Sequence, residues 1–443
     1  MTEPLRFYLI TDLHYFENAL GARGEAYEAR SLTDQKCIAE TGAIIDSAFA
    51  RLAADREVEW ILIAGDMTFN GEAESHKTVI QKLRALEASG KRIVLITGNH
   101  DGDNEPYAFA GAERFPVEET KRAELAELYY DFGLRDAIAV EPERRCYVAR
   151  LRDGVRVLGI NYHLDSENGG FEDLMDWILG QIEDARRCGE LIFGMNHVPL
   201  LPGAPILSLV GDAALKDWKA IATRLADAGM PLIFTGHMHM QSVNKLTTPA
   251  GNFIFDICTG SLVGGPCAIR EVTIDEHWGM RVTTSTVPDF DWDKNGMTAE
   301  EYFVWRFNRK ISHEITSMLK KKRLLLKIVE SVTLGTIARL LFFRAEPALR
   351  GKKALDMGID LVRGIFYGDQ YYTKDTPEYA YAMRLLRRLR PVARLAERKL
   401  SPKSEWFRDI PALVAALMGK EEKIDHNAAV DLRTGECREL GKG

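Results

Sequence analysis

The stretch Trp60-Ile61-Leu62-Ile63-Ala64-Gly65-Asp66 sets five apolar residues directly before a glycine and an aspartate. A continuous apolar run of this length predicts a strand buried on both faces, as in a parallel sheet covered by helices. Four further apolar runs lead in the same way into histidine, asparagine or aspartate: Arg6–Ile10, Arg92–Ile96, Leu191–Met195 and Leu232–Phe234. Because ligand sites in α/β folds gather at the carboxyl ends of strands, this pattern indicates one site built from five segments.

The polar segments after these strands contain side chains that bind metal ions. The candidates across the five segments are Asp12, His14, Asp66, Asn99, His100, Asp101, His197, His237 and His239. Carboxylate, amide and imidazole ligands without a thiolate favour Mn, Fe or Zn over copper(I) or an iron–sulfur cluster. Seven such ligands, with one carboxylate shared, suit two ions about 3.5–4 Å apart. The sequence therefore predicts a dinuclear centre, which can activate a water molecule as hydroxide and clamp phosphoryl oxygens.

The order of strands and helices predicts an α/β fold over the first 288 residues. Helical periods alternate with the strands, as in the stripe formed by Ile38, Ile45, Phe49 and Leu52. After Pro288, strand signals nearly vanish and helical patterns follow one another as far as Met418. We therefore predict a catalytic domain over residues 1–288 and an all-helical C-terminal domain over residues 289–443. The last stretch, Glu421–Gly443, is expected to be frayed or disordered.

Composition argues against several classes of protein. The 443 residues are 46% hydrophobic and 28% charged, as is typical of soluble globular proteins. No apolar run approaches the ~20 residues that span a bilayer, and the first residues do not resemble a signal peptide, so a cytoplasmic location is expected. The six cysteines are scattered without a Cys-x-x-Cys pair, which argues against a zinc ribbon or a disulfide framework.

Charge is distributed unevenly between the two predicted domains. From Asp291 onward there are 30 Lys and Arg against 21 Asp and Glu, although the whole chain has a net charge of −7. Basic runs such as Lys320–Arg323 and Arg384–Arg390 could contact nucleic acid or an anionic membrane. A solvated face, or one docked on the acidic catalytic domain, is the favoured interpretation.

Asp291–Asn295 matches the first half of a calcium loop, but Tyr302 stands where the loop needs glutamate, so a polar turn is favoured.

As a set, the five segments resemble the five motif blocks of the calcineurin-like metallophosphoesterases, over roughly residues 5–287. The resemblance implies two packed β-sheets flanked by helices, the αββα sandwich of that family. It implies a first ion held by Asp12, His14, Asp66 and His239, and a second held by Asp66, Asn99, His197 and His237, with Asp66 as the bridge. His100 would not bind metal. It would protonate the leaving oxygen or stabilise the transition state, with Asp101 orienting it.

Three stretches are similar to bacterial members of a class III cyclic nucleotide phosphodiesterase-like group, which also carry a C-terminal helical domain. They are Asp12–Tyr15, Gly65–Glu72 and Tyr130–Ile138. This resemblance implies a small-molecule phosphodiester substrate, with a cyclic nucleotide as a candidate. Three alternatives stay open: a phosphomonoesterase or pyrophosphohydrolase with the same metals, a nuclease that uses the basic helical domain, and an interaction protein whose metals are structural.

Overall fold

The computed structural model of the chain describes residues 3–161, 172–209, 214–319, 330–369, 374–400, 409–418 and 424–441. The described strands are β1 (Leu5–Ile10), β2 (Trp60–Ala64), β3 (Arg92–Ile96), β4 (Tyr107–Ala110), β5 (Glu113–Pro116), β6 (Ala139–Val140), β7 (Tyr147–Arg152), β8 (Val155–Ile160), β9 (Leu191–Asn196), β10 (Leu232–Thr235), β11 (Ser242–Thr247), β12 (Phe253–Cys258), β13 (Ala268–Ile274), β14 (Gly279–Thr286), β15 (Ala428–Asp431) and β16 (Cys437–Glu439). The described α-helices are α1 (Glu25–Ser31), α2 (Thr41–Ala54), α3 (Ala73–Ala88), α4 (Leu125–Leu128), α5 (Glu172–Arg187), α6 (Trp218–Ala228), α7 (Ala299–Leu319), α8 (Leu334–Leu340), α9 (Ala354–Tyr367), α10 (Pro377–Leu400) and α11 (Ile410–Met418).

Two large sheets form the centre of the described structure. The first has the strand order β16-β15-β14-β13-β1-β2-β3, and the second has the order β11-β12-β10-β9-β8-β7-β6. In the first sheet β1, β2 and β3 are parallel, with Ile10 opposite Ile63 and Ala64 opposite Ile96. In the second, β8, β9, β10 and β12 are parallel. Neighbouring parallel strands therefore end at a common edge of each sheet, where the predicted ligand segments begin.

Side-chain alternation fills both faces of these strands. Phe7 and Leu9 of β1 pack between the two sheets, where the Phe7 ring stacks on Phe193 of β9 at a centroid distance of 5.8 Å. Tyr8 and Ile10 point the other way, into an apolar layer shared with α2 and α3. Helices α5 and α6 cover the outer face of the second sheet. Burial on both faces explains the continuous apolar runs, and the prediction of two sheets flanked by helices is confirmed.

The chain divides into two compact units. The first comprises the described residues within 1–203, 212–307 and 424–443, and the second comprises those within 204–211 and 308–423. Helices of the second unit surround a small apolar core that includes Leu334, Tyr381 and Val414. These bounds differ from the sequence-based division after residue 288, because the start of α7 buries Tyr302 and Phe303 in the core of the first unit.

The C-terminal tail belongs to the first sheet. Strand β15 pairs with β14, and β16 pairs with β15. Arg270, which is fully buried, donates hydrogen bonds to the carbonyl oxygens of Cys258 and His426 and so ties the tail to the core. The prediction of a frayed tail over Glu421–Gly443 is therefore wrong for the described residues 424–441. Strands of four and three residues give little local signal, and their pairing partner lies far earlier in the chain.

Arginines of α10 contact backbone within their own unit. Arg384 donates to the carbonyl of Arg344 at 2.7 Å, and Arg388 donates to the carbonyl of Phe342 at 3.2 Å. The basic run Lys320–Arg323 lies outside the described residues. Within the part of the chain that the structure describes, no helix is both long and apolar enough to cross a membrane.

Candidate metal centre

The seven predicted ligands come from five loops that follow β1, β2, β3, β9 and β10. Backbone hydrogen bonds hold neighbouring loops together. Asp12 N donates to Gly65 O at 2.9 Å, His14 N donates to Asp66 O at 3.0 Å, and Gly236 N donates to His197 O at 2.9 Å. The loops are thus fixed to one another at the edge where the parallel strands end, as expected for a site in an α/β fold.

One group of ligand atoms joins the first and fifth loops. His14 Nε2 lies 2.9 Å from His239 Nε2, and Asp12 Oδ1 lies 3.5 Å from the first and 3.2 Å from the second. Three ligand atoms from Asp12, His14 and His239 are therefore near enough to bind one ion. These three residues belong to the set predicted for the first metal.

A second group surrounds Asp66. Asp66 Oδ2 lies 3.1 Å from His197 Nε2 and 3.5 Å from His14 Nε2, and Asp12 Oδ1 lies 3.9 Å from His197 Nε2. Asn99 Oδ1 and His237 Nδ1 are 2.8 Å apart, and the His237 ring lies 5.2 Å from the ring of His197. Asp66 thus stands between histidines of both groups, which is the position that a bridging carboxylate needs.

The two carboxylates share a pattern of hydrogen bonds. Asp12 Oδ2 accepts from Thr11 Oγ1 at 2.7 Å and from the backbone N of His237 at 3.0 Å, while Asp66 Oδ1 accepts from the backbone N of His100 at 2.8 Å. The other oxygen of each, Asp12 Oδ1 and Asp66 Oδ2, is buried without a hydrogen-bond partner. One oxygen therefore fixes each carboxylate, and the second faces the centre.

The histidines are oriented for coordination as well. His14 donates from Nδ1 to the carbonyl of Thr68 at 3.2 Å, and His197 donates from Nδ1 to the carbonyl of Ala64 at 2.7 Å. Such bonds fix the ring and direct Nε2 at the metal position in many metalloproteins. His197 Nε2 is itself buried without a hydrogen-bond partner. Since buried polar atoms are rarely left unpaired, the unpaired nitrogen and the two carboxylate oxygens fit a pair of divalent cations.

The charges of these groups are strongly coupled. Burial by itself would raise the pKa of Asp12 and Asp66, but neighbouring imidazoles, His239 for the first and His197 for the second, hold both pKa values well below the usual range. Burial opposes protonation of His197, yet the carboxylates of Asp66 and Asp12 raise its pKa to about 9. A metal ion must displace that proton, so binding will be weaker at low pH.

Backbone strain is concentrated at the same residues. Asp12, His14, Asp66, His237 and His239 have φ values of 53°, 40°, 56°, 65° and 51°. This left-handed region is uncommon for residues other than glycine and costs on the order of 1–3 kcal/mol each. Two glycines allow the loops to approach, since a Cβ on Gly98 would lie 2.0 Å from Asp66 Oδ1 and one on Gly236 would lie 2.5 Å from Asp12 Oδ2. Strain and close packing at the ligands are typical of a functional site.

His100 and Asp101 lie beside the centre, and their side chains have different hydrogen-bond partners. His100 Nδ1 is 3.2 Å from Asn70 Oδ1. The Asp101 carboxylate instead accepts hydrogen bonds from Gly98 N at 2.7 Å and Thr68 N at 3.0 Å. Burial and the charge of Asp66 raise the pKa of Asp101 to about 7. Asp101 therefore joins the loops after β2 and β3, and Asn70 is the residue that contacts the His100 ring.

Several residues that surround the site were not predicted from the sequence. Asn70, Thr11, Gln35, Lys36 and His76 all contact a predicted site residue or its backbone. His76, for example, is buried and donates to or accepts from Tyr129 OH, while its Nε2 lies 2.8 Å from the carbonyl of Asp101. Only Asn70 and Thr11 stand within or next to a recognised motif, so only they carried a local signal.

Two solved structures are similar to this chain at low sequence identity. A dimetal phosphatase from Danio rerio is 14% identical with a TM-score of 0.46, and the match covers 65% of this chain and 98% of that chain. A purple acid phosphatase from yellow lupin (Lupinus luteus) seeds is 11% identical with a TM-score of 0.43, and covers 65% of this chain and 52% of that chain. No curated protein matches the chain in sequence. The family model described as calcineurin-like phosphoesterase matches residues 5–241, which is more than half of the chain, so the chain belongs to the calcineurin-like phosphoesterase family.

Proposed function

We propose that this metal-dependent phosphohydrolase cleaves a phosphodiester, with a cyclic nucleotide as the first substrate to try. The observation that carries the proposal is the pair of buried oxygens, Asp12 Oδ1 and Asp66 Oδ2, which face histidine nitrogens without a hydrogen-bond partner. Asn99 and His237 are the remaining members of the two proposed ligand sets. The oxygen and nitrogen donors suit Mn or Fe, and also accept Zn.

Two divalent ions bound at this centre would supply Lewis acidity toward the phosphoryl oxygens and lower the pKa of a water molecule. The protein residues position the substrate beside them. His100 stands next to the centre with its backbone N bonded to Asp66 and its ring held by Asn70. The His100 ring also lies 5.0 Å from the ring of His14, one of the proposed ligands.

We assign to His100 the protonation of the leaving oxygen. Burial and the nearby Lys36 ammonium keep the pKa of His100 well below its usual range, so the ring is neutral before substrate enters. A phosphoryl anion beside the ring favours its protonated form, because an opposite charge stabilises the imidazolium. The departing alkoxide then takes the proton from His100, which avoids expulsion of a strongly basic anion.

The choice of a diester rests on the motif resemblance, and one structural contact supports its relevance. Gly65–Glu72 is one of the stretches shared with the cyclic nucleotide phosphodiesterase-like group, and its Asn70 contacts the His100 ring. This stretch therefore reaches the reacting region as well as the metal ligand Asp66. A segment so placed can influence both the metals and the leaving group.

The direct test compares two substrates on chelated protein reloaded with Mn²⁺. Initial rates are measured for bis(p-nitrophenyl) phosphate and for p-nitrophenyl phosphate. We expect the diester to be cleaved clearly faster. A faster monoester would replace the diester proposal with a phosphomonoesterase on the same metal site.

A further inference from the structure

We propose that Lys36 binds a non-bridging oxygen of the substrate's phosphoryl group. This inference rests on the proposed function and adds to it a cationic residue outside the five ligand segments. In this proposal the Lys36 ammonium is an anion-binding group that lies beside His100.

The first observation is a buried ammonium without a close ion pair. Lys36 is 4% exposed, and its Nζ lies 3.5 Å from His100 Nε2. It also lies 5.1 Å from the ring centroid of Phe69. Among the described residues no carboxylate oxygen lies within 4.0 Å of Lys36 Nζ, whereas a buried charge is costly unless it is paired. Burial lowers the pKa of Lys36, although the carboxylates of Asp34, Asp66 and Asp12 attract the ammonium from beyond that distance.

Asp34 is the nearest acidic residue in sequence, and its carboxylate is occupied. Asp34 Oδ2 forms an ion pair with Arg30 at 2.6 Å, and Asp34 Oδ1 accepts from the backbone N of Lys36 at 3.0 Å. Asp34 therefore fixes the turn before Lys36, and its charge attracts the ammonium although the two side chains form no ion pair.

The second observation is that the segment around Lys36 is held rigidly. Gln35 Nε2 donates to the carbonyl of His239 at 3.1 Å. Lys36 forms an antiparallel bridge with Gly264, and Cys37 N donates to Val263 O at 2.8 Å. These bonds hold the segment against the loop that carries His239, through the Gln35 side chain, and against the loop after β12. The side chain is consequently placed in advance, unlike a surface lysine that must lose conformational freedom on binding.

Charge balance points to a phosphoryl oxygen as the partner. With two divalent cations bound, Asp12 and Asp66 leave the centre with an excess of positive charge, and the Lys36 ammonium adds to it. An anion that enters the site would relieve this repulsion. A lysine ammonium is a compact charge with three donors, so it can contact a phosphoryl oxygen while His100 faces the leaving oxygen.

The test measures binding of inorganic phosphate to the full-length, Mn²⁺-loaded protein by calorimetry, together with metal content and the kcat and KM for bis(p-nitrophenyl) phosphate. The variants are Lys36→Met and Lys36→Arg. We expect Lys36→Met to keep both ions and to bind phosphate about 10- to 100-fold more weakly, the loss typical of one charge-assisted hydrogen bond. The KM for the diester should rise in parallel, and Lys36→Arg should restore part of the phosphate affinity.

Lys91 provides a matched control, because it is also a buried lysine at 6% exposure, but it donates to the carbonyls of Asp55 and Val58, away from the centre. Lys91→Met should leave phosphate affinity unchanged.

Phosphate affinity of Lys36→Met within twofold of the unsubstituted protein would overturn the inference while the phosphohydrolase proposal stands. The unsubstituted protein could hydrolyse no phosphoester while Lys36→Met still binds phosphate more weakly than it does. That result would overturn the proposed function and leave the anion-binding role of Lys36 in place. Lys36→Gln serves the same test if the methionine variant does not fold.

Discussion

Asp66 Oδ2 lies 3.1 Å from His197 Nε2, and neither atom has a hydrogen-bond partner although both are buried. The other oxygen, Asp66 Oδ1, accepts a hydrogen bond from the backbone of His100. A buried carboxylate that is anchored through one oxygen and faces histidine nitrogens with the other is placed to bind a cation. Asp66 therefore links the metal centre to the candidate catalytic histidine.

Asp66→Asn should abolish metal binding and activity together. The substitution retains the shape of the side chain but removes the charge shared by the two proposed ion sites. We expect fewer than two ions per chain and a fall in diester hydrolysis of at least about 100-fold. Metal content is measured by inductively coupled plasma mass spectrometry, and activity is measured as initial rates. Asp46→Asn, at an exposed aspartate, is the control. Full metal occupancy in Asp66→Asn would contradict its role as the bridging ligand.

His100→Ala should separate metal binding from chemistry. Because His100 is assigned to the leaving oxygen, the variant should retain both ions while kcat falls by about 10²–10⁴-fold. His277, whose side chain is 74% exposed on a distant turn, offers a matched histidine control. Loss of metal from His100→Ala would show that the residue is a ligand after all.

Asn70→Ala and Asp101→Asn should give different defects. Asn70 contacts the His100 ring, so its loss should lower kcat about tenfold with both ions retained. The Asp101 carboxylate bonds the backbone of two ligand loops, so Asp101→Asn should weaken metal affinity, by about 10- to 100-fold. Metal titrations and kcat measured on both variants distinguish the roles. The reverse pattern would restore Asp101 as the group that orients His100.

Glu72 should make the stability of the chelated protein depend on pH. The side chain is fully buried, and burial raises its pKa from 4.5 to about 7. Between these values the unfolded chain releases the proton while the folded chain keeps it, so folding becomes less favourable as pH rises. The loss is complete above about pH 7 and amounts to roughly 3 kcal/mol at most.

Glu72→Gln should remove this dependence, because the amide is neutral at every pH. Urea unfolding at pH 5 and pH 8 measures it, with the exposed Glu74→Gln as control. We expect the glutamine variant to gain stability relative to the unsubstituted protein at pH 8 and to gain little at pH 5. An equal difference at both pH values would mean that Glu72 does not titrate in this range.

The strands and the ligand loops could be predicted from sequence because their signals are local. Each central strand is buried on both faces, so it forms a continuous apolar run in the sequence, and each proposed ligand follows such a run within a few residues. The five loops then meet because the parallel strands share their carboxyl edges. Asp12 and His239 illustrate this, since they are distant in sequence but only 3.2 Å apart at their ligand atoms.

Other features depend on contacts that no local pattern reveals. Lys36 lies in an unremarkable stretch, and its position beside His100, 64 residues later, exists only in the folded chain. Strand β15 is only four residues long and gains its stability from pairing with β14. The partners of Asp101 and His100 are also set by the folded chain, since these adjacent residues on a tight loop direct their side chains to different groups.

The most direct measurement of the central claim follows diester hydrolysis as a function of bound metal. Chelated protein is titrated with Mn²⁺, and bound ions per chain and the rate with bis(p-nitrophenyl) phosphate are recorded at each point. We predict no turnover without metal, and full turnover only when about two ions are bound per chain. Two bound ions without hydrolysis of either the diester or p-nitrophenyl phosphate would contradict the claim, as would full activity in the chelated protein.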